Sequence, residues 1–170
     1  MRIYLIGYMG SGKSKTADLL SRIFKYIAID TDGLVEEKTG NAISTIFKNQ
    51  GEEYFREIEM EILRSTATKD NAVISTGGGT PCYHNNMEWM NSNGITVYLE
   101  ANAGLLFHRL ATSRSGRPLI ESLDDVELME QITGHLATRL PFYNKAMITV
   151  NAANLNPKIL AEKIKSFRKK

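Results

Sequence analysis

Five short apolar runs punctuate the chain at 2–6 (RIYLI), 26–29 (YIAI), 72–75 (AVIS), 95–99 (ITVYL) and 147–150 (MITV). None alternates strongly between apolar and polar positions, as expected for strands covered on both faces of a parallel sheet. Between them the pattern predicts helices at 13–25, 33–39, 43–68, 83–92, 102–111, 125–140 and 157–168. The last opens on Pro157, a residue favoured at the first helical position. Alternation of strand and helix predicts an α/β fold: a three-layer sandwich around a five-stranded parallel sheet, built by right-handed crossovers. No repeat or linker interrupts the pattern, so residues 1–170 are expected to form one domain.

Two stretches depart from the alternation. Residues 31–68 insert two helices, not one, between neighbouring strands. Residues 112–125 (TSRSGRPLIESLDD) are polar, bear glycine and proline, and carry Arg114 and Arg117. Connections that long in a compact fold are often functional, so both stretches are expected around an active-site mouth.

The first strand runs into Gly7-Tyr-Met-Gly-Ser-Gly12-Lys13-Ser14, which matches G-x-x-x-x-G-K-[ST] and sits between a strand and a helix. Such a loop turns backbone N–H groups toward phosphate oxygens at a helix N-terminus. Lys13 would reach the β- and γ-phosphates, and Ser14 would place its hydroxyl on Mg²⁺. Lys15, next on the helix, reads either as a solvent-facing charge or as a further phosphate contact.

Asp30 and Asp32 follow the second strand at the edge where open α/β sheets bind ligands. If the strand geometry persists, the spacing of two puts both carboxylates on one side. One could hold a water of a magnesium shell, and the other could orient an acceptor hydroxyl for in-line attack. The structural alternative is that Asp32 caps a helix starting at Gly33. Gly77-Gly78-Gly79 follows the third strand, and backbone without Cβ admits close approach by a ligand. A plain strand-to-helix turn needs only one glycine. Arg56 lies out of phase with the apolar face formed by Phe55, Ile58 and Ile62, and could simply pair with Glu52 or Glu59. Arg139 precedes Pro141 near an expected helix end, where a cation is favourable in any case. Taken together, two arginines, two aspartates and the glycine run suggest a small anionic polyol acceptor, since arginine forks suit carboxylates and aspartate suits hydroxyls.

Composition adds mostly exclusions. With 21 basic and 19 acidic residues the net charge is +2, which does not suggest a nucleic-acid partner, and the tail SFRKK reads as a solvated helix end. Cys82 is the single cysteine, so no internal disulfide forms, which suits a reducing compartment. His84, His108 and His135 show no metal-ligand spacing. No run reaches membrane-spanning or signal-peptide length. A cytoplasmic, membrane-free monomer is expected.

The ordered set GYMGSGKS, DTDGLVEEKTG, IFKNQGEEYFREIE, STGGGTP, RPL and RLPFY resembles the shikimate kinases, in the nucleoside-monophosphate-kinase-like branch of P-loop proteins. The resemblance covers essentially the whole chain. It implies ATP-dependent phosphorylation of the 3-hydroxyl of shikimate, in aromatic amino-acid biosynthesis, with Mg²⁺ as cofactor and ATP and shikimate as small-molecule partners. It implies that Gly10, Ser11, Gly12, Lys13, Ser14 and Lys15 bind the nucleotide, and that Ser14 and Asp30 serve the metal, with Ser75 near its waters. Asp32 would bind and activate the acceptor hydroxyl. Arg56 and Arg139 would clamp the carboxylate, with Gly77, Gly78 and Gly79 lining that pocket. Arg117 would be a catalytic lid arginine over the phosphates, within a lid at 112–125. Arg109 and the loop before Pro157 would lie near the adenine. Lys15 stands where the family usually has serine or threonine. Two rivals remain from the residues alone: another small-molecule kinase, gluconate-type or nucleotide-directed, and a nucleotide-binding module without turnover.

Overall fold

The computed structural model describes residues 1–112, 120 and 123–167. Its elements run β1 (Arg2–Ile6), α1 (Lys13–Phe24), β2 (Ile27–Asp30), α2 (Thr31–Thr39), α3 (Ile43–Ser65), β3 (Ala72–Ser75), α4 (Asn86–Asn93), β4 (Ile95–Glu100), α5 (Ala103–Ala111), α6 (Asp125–Tyr143), β5 (Ile148–Asn151) and α7 (Pro157–Phe167). The strands pair in parallel in the order β2-β3-β1-β4-β5. All five carboxyl ends therefore face one edge, with β1 in the centre and β3 beside it. Central strands β1, β3 and β4 are almost wholly buried, whereas the edge strand β2 is largely exposed.

Apolar side chains split by strand alternation onto the two faces. Ile3, Leu5, Val73, Val97 and Leu99 point to one side, where Leu20, Leu106, Leu110, Leu128, Ile132, Leu160 and Ile164 cover them from α1, α5, α6 and α7. Tyr4, Ile6, Ile74 and Tyr98 point to the other, against Leu63, Met87, Met90 and Tyr143. A third, smaller cluster of Val35, Ile46, Phe55, Ile58 and Ile62 joins α2 to α3, which makes the inserted helices a packed unit. Ile120, in the long connection, is fully buried in the first cluster. Among the described residues no helix is long and apolar enough to cross a membrane.

Each strand lies within a residue of its expected place, but several helix ends do not. Helix α2 begins at Thr31 because Asp30, not Asp32, is its N-cap: the Asp30 carboxylate accepts from the Asp32 backbone N–H at 3.1 Å. Helix α3 is broken at Gly51, whose φ of 84° is non-helical. The stretch expected to be helical from 83 starts only at Asn86, because His84 and Asn85 take positive φ after a short turn over Thr80–Cys82. Helix α6 runs through Pro141 to Tyr143, so Arg139 lies inside it and not at its end.

Leu99 is fully buried in β4 and belongs to the larger cluster. Leu99→Ala should cost about 2–5 kcal/mol in urea unfolding, the range for leucine truncation in a packed core.

Candidate active site

The loop from Gly7 to Gly12 leaves β1 and enters α1 through Gly12, whose φ of 95° caps the helix. The Lys13 ammonium is buried beneath the loop and donates to the carbonyls of Gly7 (2.8 Å) and Tyr8 (3.0 Å). Ser14 Oγ donates to Asp30 Oδ2 at 2.8 Å and lies 3.2 Å from Ser75 Oγ. Three hard oxygen groups from α1, β2 and β3 thus meet at one point. No cluster of three or more His, Cys, Asp or Glu suited to a metal occurs among the described residues.

Beside this point opens a cavity of about 600 Å³, bordered by Gly10, Gly12, Lys13, Ser14, Lys15, Asp30, Asp32, Ser75, Gly78 and Arg109 among others. Asp30 and Asp32 reach it together although the chain turns helical at Thr31, so their common side comes from the strand-to-helix corner and not from strand spacing. Burial pushes the Asp32 carboxyl up to about 6, and the neighbouring charges of Glu59 and Asp30 push in the same direction against Lys13. A carboxylate tuned that way can take a proton from a hydroxyl near neutral pH.

The three glycines have a steric explanation. None of Gly77, Gly78 and Gly79 takes the left-handed backbone that would require glycine. What each lacks is room. A Cβ on Gly77 would lie 2.5 Å from Glu59 Oε1 and 2.8 Å from Asp32 Oδ1, and one on Gly79 would lie 2.7–2.9 Å from the Arg56 guanidinium. At Gly78 the close neighbours are the Met9 backbone nitrogen and Arg139 Nη1, at 3.3 and 3.4 Å. The Gly78 carbonyl accepts from the Tyr143 hydroxyl. The run draws four charged side chains onto one strip of backbone.

Arg56 is 8% exposed and Glu59 only 1%. Arg56 Nη1 donates to Glu59 Oε2 at 2.7 Å, Nε and Nη2 donate to Glu52, and the guanidinium lies 4.2 Å from the Tyr83 ring centroid. The pairing and the pocket position coexist, because a guanidinium has five donors and the glutamates use only three. Glu59 also accepts from Thr80 Oγ1 at 2.6 Å. Sequence reasoning saw it only as a helical partner for Arg56; its place against Gly77 and Asp32 depends on tertiary packing. Arg56 and Arg139 border a second cavity, with Glu52, Cys82, Tyr83 and His135 around it, and Phe47 borders both cavities. Burial pushes the Cys82 thiol up to about 11, so it is not a nucleophile there.

A third recess lies behind the loop, bordered by Ser11, Gly12, Lys15, Arg109, Ala153, Leu155 and Pro157. Arg109 Nη1 donates to the carbonyls of Gly10 and Ser11, and its Nη2 to Ala152, so it ties the loop to the chain leaving β5. Lys15 is exposed and borders both this recess and the first cavity. Arg114 and Arg117, with most of the 112–125 connection, lie outside the described residues.

A central strand feeding a Gly-Lys-Ser loop, in a 2-3-1-4-5 parallel sheet, places the chain among the P-loop phosphotransferases. The family model described as shikimate kinase matches residues 9–168. A shikimate kinase of Phocaeicola vulgatus is 41% identical over 170 residues, covering 99% of this chain and 97% of its own. The crystal structure of the Bacteroides thetaiotaomicron shikimate kinase superposes with a TM-score of 0.91 at 36% identity, covering 100% and 99% of the two chains. That of the Acinetobacter baumannii shikimate kinase, in complex with shikimate, gives 0.87 at 30% identity, covering 98% and 92%. The chain belongs to the shikimate kinase family.

A carboxylate whose pKa rises on folding from 3.8 to about 6 opposes folding while it is ionised. Asp32→Asn should therefore raise the stability of the ligand-free protein at neutral pH by about 1 kcal/mol, or ~2–4 °C in melting temperature. The gain should be full above pH about 6, shrink as the pH falls from there toward 3.8, and vanish only below that value, where both states are protonated.

Proposed function

We infer that the chain transfers the γ-phosphoryl group of ATP to the 3-hydroxyl of shikimate, a step of aromatic amino-acid biosynthesis, with Asp32 as the base. The observation that carries this reading is the position of Asp32. It borders the cavity of Lys13 and Ser14 and touches the strip of glycines on which Arg56 and Arg139 lie. A donor on one side and an anionic acceptor on the other would meet there.

Phosphoryl transfer needs little covalent chemistry from a protein; positioning and charge do most of the work. Gly10 and Gly12 offer backbone donors to phosphate, and Lys13 supplies a charge beneath the loop. Ser11, whose N–H is bonded to the Tyr8 carbonyl, shapes the loop between the two glycines, and Lys15 borders both recesses. Arg109 and Pro157 border the recess suited to the adenine. The oxygens of Ser14, Asp30 and Ser75 suit Mg²⁺, which prefers hard oxygen donors and retains several waters. When bound, the ion would neutralise phosphate charge; Ser14 would be a direct ligand, and Asp30 and Ser75 would hold its waters.

On the acceptor side the two guanidiniums hold the carboxylate, and Asp32 orients the hydroxyl and accepts its proton. Gly78 borders the cavity, while Gly77 and Gly79 seat Asp32, Glu59 and Arg56 against the backbone. Arg117 is assigned to the phosphates on resemblance alone, with the 112–125 connection as the lid. The inserted stretch 31–68 forms the acceptor side. Residues 1–170 act as one domain, a cytoplasmic monomer.

Two arms test the assignment. ADP release is followed with shikimate, gluconate and nucleoside monophosphates offered in turn, for the native chain and for Asp32→Asn. Shikimate alone should support turnover, and the asparagine variant should lose at least ~100-fold in kcat with ATP affinity nearly unchanged. Faster turnover with gluconate or a nucleotide would contradict the acceptor assignment, and retained turnover in Asp32→Asn would remove its role as base.

A further inference from the structure

Arg56 and Arg139 are held by different means. Two glutamates fix Arg56, but among the described residues no carboxylate lies within ion-pair distance of Arg139. Its guanidinium lies instead 5.2 Å from the centroid of the Tyr8 ring. Tyr8 is 1% exposed, and its hydroxyl lies 3.0 Å from Nδ1 of His135. His135 and Arg139 are four residues apart on α6, so they share a helix face, and both border the second cavity. The three side chains close a triangle between the nucleotide loop and α6.

We propose that Tyr8 and His135 are positioning residues for Arg139: their hydrogen bond fixes the phenol ring, and the ring fixes the guanidinium where it receives the acceptor carboxylate. The proposal rests on the reading that Arg139 grips that carboxylate. An arginine without an ionic partner has many rotamers, and ordering them upon binding weakens affinity; a ring already in place removes most of that cost. Burial and the Arg139 charge hold the His135 imidazole below its usual range, with Glu52 across the cavity opposing them. The neutral ring keeps one nitrogen free to accept the phenol proton. Tyr8 also holds Lys13 through its backbone carbonyl, but only its hydroxyl and ring serve Arg139.

The test is steady-state kinetics with ATP and shikimate on Tyr8→Phe, His135→Leu, the double variant, His135→Gln and Arg139→Ala, with melting curves for each. Tyr8→Phe and His135→Leu should each raise the shikimate KM about three- to tenfold, with the ATP KM within ~2-fold. The double variant should be no worse than the worse single, because one shared bond is lost in all three. His135→Gln, which keeps an acceptor oxygen, should recover part of the loss. If Arg139→Ala raises the shikimate KM while Tyr8→Phe and His135→Leu leave it unchanged, the brace is wrong and the clamp stands. If Arg139→Ala leaves it unchanged, the clamp reading itself fails. Additive rises in both KM values with lowered melting temperatures would mark a general structural role and overturn the proposal.

Discussion

The site depends on one close contact: charged side chains packed directly on the backbone of Gly77 to Gly79. A Cβ at either end of the run would press into Glu59 and Asp32 or into the Arg56 guanidinium. Because β3 lies between β1 and β2, this strip sits beside both the phosphate loop and the corner that carries Asp30 and Asp32. In a parallel sheet all these groups gather at one edge by topology alone. The glycines then decide how close the two halves of the site can come.

Crowding these groups sets their electrostatics. Glu59 is almost fully buried, and its charge is balanced by Arg56 and by the Thr80 hydroxyl. Its second effect falls on Asp32, whose proton affinity rises with burial and with that neighbouring charge. One buried glutamate thus orders the Arg56 guanidinium and helps tune the carboxylate beside it. Perturbed carboxylates of this kind are a cost to the fold and cluster at functional sites.

The strands were legible in the sequence because buried parallel strands carry continuous apolar runs, and all five fell within a residue of their expected positions. Helix ends were less so. Asp30 and Asp32 are both good caps, and only the observed hydrogen bond picks the first. Gly51 and the pair His84–Asn85 interrupt helices through backbone angles that periodicity does not encode. The phosphate loop, the aspartates and the glycine run stood out as candidates by residue type and place at the strand ends. Arg56 and Arg139, on α3 and α6, stood out only in combination with them and through the family resemblance. Why three glycines are needed could not be read from sequence, since it depends on side chains arriving from α2, α3 and α6. Glu59, three residues after Arg56, looks in sequence like any surface helix pair, and Tyr8 and His135 are 127 positions apart.

The most direct measurement is calorimetric titration of Gly79→Ala with shikimate and, separately, with ADP. The added methyl must displace the Arg56 guanidinium, so shikimate affinity should fall at least ~10-fold while ADP affinity stays within ~2-fold. Unchanged shikimate binding, or an equal loss for both ligands, would contradict the claim that this backbone strip forms the acceptor half of the site.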